Sequence, residues 1–296
     1  MENNSERVFS VKSQVDDVIR RANSNFHTAF YFLPPEKRRA VQVFYAFCRE
    51  VDDAVDMNFP DNGNGPSKII NFWRNEIERV RKGEKTFTPL GEEIKEVIHI
   101  FGGNLLNYFE LILDGVEMDV FKRRYHNFDE LYEYCYRVAS SVGFFCVELF
   151  GMRSKSAMRY AELTGVAVQL TNILRDIKED FQRGRVYIPL EDMNAFGVSE
   201  KDFAETKGSE KLKKLLDFEA VKAKTLFEMG RASLKRDEVA KLYFCHLLSG
   251  TYESLLDKLR KGNFYLDGKK IKVSTFEKLV GAMKTIKWWW PEWVFR

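Results

Sequence analysis

Apolar residues recur at helical spacing through almost the whole chain, whereas alternating strand-like runs bounded by turn signals are scarce. Such a sequence buries its apolar stripes by packing helix on helix, so the fold class it predicts is all-α. The pattern breaks at Pro34-Pro35, at Asp61-Asn62-Gly63-Asn64-Gly65-Pro66, at Lys82-Gly83-Glu84, at Gly102-Gly103, at Gly184, at Pro189 and at Gly262-Asn263. These breaks divide the chain into roughly eight to ten helices of ordinary length. A single domain over residues 1–296 is the simpler expectation, because the Gly/Asn-rich stretch is too short to separate independent folding units.

Charge excludes one class of partner. With 47 Lys+Arg against 44 Asp+Glu the net charge is +3, without the basic excess of a nucleic-acid binder. Met1-Glu2-Asn3-Asn4-Ser5-Glu6 lacks the basic start and apolar run of a signal or transit peptide, so a cytoplasmic location is expected. The longest mostly apolar run, Val142 to Met152, contains Glu148 and is too short to span a bilayer. Cys48, Cys135, Cys146 and Cys245 lie far apart among apolar neighbours and are expected to be reduced core thiols.

The chemistry concentrates on two predicted helices. Over Glu36 to Val55, Tyr45, Arg49, Asp52 and Asp56 fall within an arc of roughly 60°, beside an apolar stripe of Val41, Phe44, Cys48, Val51 and Val55. Carboxylates at i and i+4 can share one cation cluster, and magnesium takes one or two carboxylates together with waters and substrate phosphates. Asp53 stands at the edge of the arc, and Arg49 offers a forked donor to phosphate or carboxylate. A single D-x-x-x-D is by itself more often an ordinary solvated face than a metal site.

Over Gly165 to Phe181 the arrangement repeats. Gln169, Asn172, Asp176 and Asp180 share an arc of roughly 80°, adjoining Leu170, Ile173, Leu174, Ile177 and Phe181. Amides followed by carboxylates suit metal waters and phosphate oxygens. Arg183 and Arg185, just beyond, are placed to close over a diphosphate. Such a leaving group departs once its charge is neutralised, and the carbocation left behind needs a dry site with aromatic faces. Phe26, Phe30, Tyr31 and Phe32 precede the first acidic helix, and Tyr134, Tyr136, Phe144 and Phe145 flank Ala139, Ser140, Ser141 and Gly143. Those small residues are expected to leave room for a prenyl tail.

Three stretches resemble the signatures of the squalene/phytoene synthase family. Tyr45-Ala46-Phe47-Cys48-Arg49-Glu50-Val51-Asp52-Asp53-Ala54-Val55-Asp56 is similar to the first, and Tyr134-Cys135-Tyr136-Arg137-Val138-Ala139-Ser140-Ser141-Val142-Gly143 to the middle one. Gln169 to Asp180, followed by Gly184-Arg185-Val186-Tyr187-Ile188-Pro189, is similar to the last, and the likeness extends from about Asn23 to Lys272. The resemblance implies a single isoprenoid-synthase bundle with a central cavity. It implies a transferase that joins two prenyl diphosphates head to head through a cyclopropyl diphosphate. Carried over residue by residue, Asp52, Asp56, Asp176, Asp180 and Asn172 bind magnesium or manganese, and Tyr134 acts near the cation. Tyr45, Arg49, Phe26, Asp119, Gln169, Asn172, Arg175, Tyr252 and Lys270 contact substrate. Asn25 stands where the family usually has Ser, and Lys269-Lys270 where Arg is common, which weakens the expected phosphate contacts there.

Two farnesyl diphosphates giving presqualene diphosphate, and onward squalene or dehydrosqualene, form the first expectation. It follows Leu33-Pro34-Pro35-Glu36-Lys37-Arg38-Arg39, which resembles bacterial hopanoid-pathway members. Phytoene formation from two geranylgeranyl diphosphates is the alternative. Asp52-Asp53-Ala54-Val55-Asp56 also satisfies the D-D-x-x-D of other class I terpene synthases, and a non-catalytic assembly factor is a further rival. NADPH enters only with a reductive second step, for which no G-x-G-x-x-G fingerprint exists. Four of the five tryptophans, Trp288, Trp289, Trp290 and Trp293, crowd a tail at 284–296 beside Lys284 and Lys287. That composition suits peripheral membrane contact, but the large area four tryptophans bury favours a tail folded back on the core.

Overall fold

Pro34 and Pro35 open the first long helix, since proline's missing N–H costs nothing in a first turn. Helix α1 (Pro35–Met57) runs two residues past the expected end. The computed structural model describes residues 15–19, 30, 32–57, 65–205 and 208–266. The chain folds as two compact units, Met1–Phe121 and Lys122–Arg296.

In the first unit α1 packs against α2 (Gly65–Arg81), α3 (Pro89–Phe101) and α4 (Leu106–Phe121). Its core is aromatic: Phe44 meets Phe109 edge-on at 4.7 Å, and Phe47 meets Trp73 at 5.3 Å. Thr88 caps α3 by accepting from Gly91 N–H at 2.9 Å. The fully buried Glu76 accepts from Phe87 N–H, Thr88 N–H and the Thr88 hydroxyl, which stabilises the α2–α3 loop. Arg39 links α1 to Glu93 of α3 and to Asp16.

The second unit is organised around α7 (Lys155–Gln182). Preceding it are α5 (Phe128–Cys135), a π-helical turn at Tyr136–Ser140 and α6 (Ser141–Leu149). After it come α8 (Leu190–Ala195), α9 (Glu200–Ala204), α10 (Glu210–Ser233), α11 (Arg236–Val239) and α12 (Tyr243–Lys261). Helices α6, α10 and α12 and the π turn all pack on α7. Small residues make this possible. A Cβ on Gly165 of α7 would lie 2.4 Å from Ser140 Cα, and one on Gly143 of α6 would lie 2.8 Å from the Ala161 carbonyl oxygen. Ser140 and Ser141 are fully buried, and the Ser140 hydroxyl donates to Glu162 O at 2.7 Å. Ser140 and Gly143 of the middle signature are therefore used for close helix contact, where room for a prenyl tail was expected.

The all-α class holds among the described residues, which carry one isolated β-bridge, Arg124 to Val186. Their α-helices number twelve rather than eight to ten. The surplus is the short α8, α9 and α11, each nucleated by a local signal: Pro189 before α8, the Ser199–Asp202 capping box before α9 and Lys235–Glu238 at α11. Cys135, Cys146 and Cys245 are buried and Cys48 is half-buried, all without disulfides. No helix among the described residues is long and apolar enough to cross a membrane.

Candidate active site

One half of the expected constellation lies on α1. Val41, Phe44, Val51 and Val55 are buried, and Tyr45, Arg49 and Asp52 beside them are half-buried, with Asp53 exposed. Arg49 forks between two carboxylates, donating from Nη1 to Asp52 Oδ2 at 3.1 Å and from Nη2 to Asp53 Oδ1. Burial works against the Arg49 charge, but Asp52 and then Asp53 outweigh it and raise its pKa. Tyr45 meets Phe30 edge-on with centroids 6.0 Å apart. Asp119, on α4 of the same unit, is buried. Asp56 occupies the last turn of α1, and its side chain lies outside the described residues, as do Phe26, Lys270 and the Trp-rich tail.

The other half lies on α7. Asn172 Nδ2 donates to Gln169 Oε1 at 3.2 Å, while Asn172 Oδ1 is buried with no hydrogen-bond partner among the described residues. An unsatisfied buried oxygen costs about 1–3 kcal/mol, which a cation or its hydration shell can offset. One turn on, Arg175 Nε donates to Asp176 Oδ1 at 2.7 Å, and Nη2 donates to Asp176 Oδ2. Burial opposes the Arg175 charge as well, but Asp176 and then Tyr252 of α12 raise its pKa. Arg175 thus joins the carboxylate of α7 to the buried Tyr252.

Asp180 closes this stripe at a Schellman turn. Gly184 stands at φ +77°, its N–H donates to Phe181 O at 2.9 Å, and Arg185 N–H returns to Asp180 O at 2.9 Å. Beyond the turn, Val186 N–H donates to Arg123 O at 3.1 Å and Leu190 N–H to Tyr125 O at 2.9 Å. This pairing brings three tyrosines together. Tyr134 stacks on Tyr187 at 5.1 Å with their planes 24° apart, and Tyr125 stacks on the same ring at 5.8 Å. The Tyr134 hydroxyl lies 3.5 Å from that of Tyr187, and all three rings are buried. Asp180, Arg185, Tyr187 and Phe203 line a small cavity with Ile173 and Ile177.

Each stripe offers oxygen donors of its own: the Asp52 carboxylate on α1, and on α7 the carboxylates of Asp176 and Asp180 with the amide oxygen of Asn172. These are the donor types that a hard cation such as magnesium takes. Tyr187 and Tyr125 were not singled out by sequence reasoning. Tyr187 sits in the Gly184–Pro189 stretch, a usable signal, but nothing local connects Tyr125 to it.

The squalene/phytoene synthase model matches residues 19–277. The chain belongs to this family. Its members transfer prenyl groups head to head. The chain is 29% identical over 283 residues to a 15-cis-phytoene synthase of Synechocystis sp., covering 89% of this chain and 82% of that one. It is 31% identical over 266 residues to a chloroplastic phytoene synthase of an Oncidium hybrid cultivar, covering 87% of this chain. It spans 63% of that relative's length, less than two thirds. A dehydrosqualene synthase crystal structure with bound ligand superposes with a TM-score of 0.79 at 26% identity, over 95% of this chain and 98% of that one. The likeness extends the all-α assignment to the isoprenoid-synthase fold.

Proposed function

We propose that this family member is a magnesium-dependent transferase, acting as a single isoprenoid-synthase domain, that condenses two farnesyl diphosphates to presqualene diphosphate. The observation that carries the proposal is the α7 stripe, where a buried Asn172 oxygen without a partner among the described residues stands one turn before the Arg175-held Asp176 carboxylate. Asp52, Asp56, Asp176, Asp180 and Asn172 would hold magnesium, or manganese in its place. When bound, the metal supplies positive charge that lets a diphosphate leave. Arg49 and Arg175 orient Asp52 and Asp176 and set positive charge beside the phosphate oxygens. Tyr45, Gln169, Phe26, Asp119, Tyr252 and Lys270 complete the substrate contacts. Tyr134, backed by Tyr187, turns an aromatic face to the allylic cation and excludes water from it.

The likeness to the dehydrosqualene synthase supports the farnesyl choice and onward formation of a squalene-type hydrocarbon. NADPH is required only where that second step is reductive. A second reading, two geranylgeranyl diphosphates giving phytoene, is favoured by the Synechocystis and Oncidium relatives, both named phytoene synthases. The place of action is the cytoplasm. Incubation with each prenyl diphosphate and magnesium, with and without NADPH, followed by product analysis, tests the assignment. A C30 product from farnesyl diphosphate is expected. Preference for a C40 product transfers the assignment to the second reading, and diphosphate release without coupling contradicts both.

A further inference from the structure

The turn that carries Asp180 out of α7 is held from outside by a residue that belongs to none of the three family signatures. Arg124 stands in the short segment that leads into α5. Its Nη1 donates to the Gly184 carbonyl oxygen at 2.8 Å and to Arg123 O at 2.7 Å. Its Nε and Nη2 form a fork onto both carboxylate oxygens of Glu200, the first residue of α9, with the second bond at 2.7 Å. The Arg124–Val186 bridge runs alongside, fixing the backbone on which the guanidinium stands.

One side chain therefore ties two walls of the Asp180 cavity together. Gly184 belongs to the Schellman turn whose Arg185 N–H returns to Asp180, and α9 contributes Phe203 to the cavity lined by Asp180, Arg185 and Tyr187. Lys178 supports the same junction by donating to Glu205 O, just past α9, at 3.1 Å. Without Arg124, the Gly184 carbonyl and the Glu200 carboxylate each lose their donor, and the turn and α9 are free to separate. Misplacing a binding group by about 1 Å is enough to cost on the order of 100-fold in rate.

We propose that Arg124 is a positioning residue that sets the Asp180–Arg185 turn for diphosphate, acting through Gly184 and Glu200. The proposal deepens the functional reading and rests on the α7 stripe being a diphosphate site. Lysine replaces arginine only in part here, because an ammonium keeps the charge but not a fork plus a third directed donor.

The test uses the full chain with Arg124→Lys, Arg124→Gln and Glu200→Gln, each checked for helicity and cooperative melting. Magnesium with inorganic diphosphate is titrated calorimetrically into each, and KM and kcat are measured with the prenyl diphosphate the wild type uses. Arg124→Gln is expected to weaken inorganic diphosphate binding and raise KM on the order of tenfold, with Arg124→Lys restoring part of the loss. Glu200→Gln, which leaves the Gly184 contact, should fall between wild type and Arg124→Gln. Unchanged diphosphate affinity in folded variants overturns the proposal, even where melting temperature drops. If Arg124→Gln does not fold, Arg124→Lys and Glu200→Gln decide between the same two outcomes. A wild type that binds inorganic diphosphate but couples no substrate defeats the functional reading alone, and the calorimetry still decides on Arg124. A wild type that does not bind it defeats both.

Discussion

Gly165→Ala probes the closest helix approach in the second unit. The added Cβ would stand 2.4 Å from Ser140 Cα, 2.6 Å from Ser140 N and 2.8 Å from Ser140 Oγ. Carbon atoms in ordinary contact lie about 3.5–4.0 Å apart, so α7 and the π turn must separate by about 1 Å. Overpacking of this kind typically costs about 1–3 kcal/mol, and two of the three opposing atoms are backbone that cannot rotate away, which places the cost near the upper end. Alanine's better helix propensity returns about 1 kcal/mol. The net loss is about 2 kcal/mol, or a fall of about 4 °C in melting temperature for a chain of this size. Urea melts should show a lower midpoint with an unchanged slope. Ser140→Gly removes only the hydroxyl contact, so the double variant should remain destabilised. Rescue by Ser140→Gly, or a Gly165→Ala protein more stable than wild type, would refute the close-approach argument.

Further consequences can be checked separately. Asp52→Asn and Asp176→Asn should each abolish turnover. Asp52 and Arg49 are both more than two-fifths exposed, so chemical denaturation should move by no more than about 1 kcal/mol for Asp52→Asn. Gly184→Ala forces a left-handed alanine at the Schellman turn and should cost about 1–2 kcal/mol in a urea melt. Burial of Glu219, and after it the neighbouring Asp192, outweigh Lys222 and push its pKa from 4.5 up to about 8. The folded value lies above the unfolded one, so this group's contribution to stability is full below about pH 4.5 and is lost as pH rises through about 8. Glu219→Gln should flatten the decline of urea midpoints between these limits, and an unchanged profile would remove Glu219 as its source.

The helices and the two acidic stripes were legible because their signals are local. Pro34-Pro35 marks the start of α1, and its polar and apolar faces separate at the expected positions. On α7 the stripe lies where its periodicity puts it, but the helix begins at Lys155, where Ser154 caps it by accepting from Ala157 N–H, well upstream of Gly165. The tyrosine cluster was not legible, since Tyr125 and Tyr187 meet only because the Arg123 and Tyr125 carbonyls accept from Val186 and Leu190. The role of the small residues was hidden for a related reason. Composition shows that Ser140 and Gly143 are small, but only the fold shows that α7 fills the space they leave. Arg175 illustrates the same limit, because its sequence neighbour Asp176 takes both arms of its fork.

The most direct test of the central claim is the carbon skeleton of the product made from farnesyl diphosphate and magnesium without a reductant, with Asp176→Asn as the blank. Head-to-head coupling predicts a C30 product, absent from the blank, beginning with a cyclopropyl diphosphate formed with one diphosphate released per two substrates. A C15 alcohol or C15 hydrocarbon, with one diphosphate released per substrate, would contradict it.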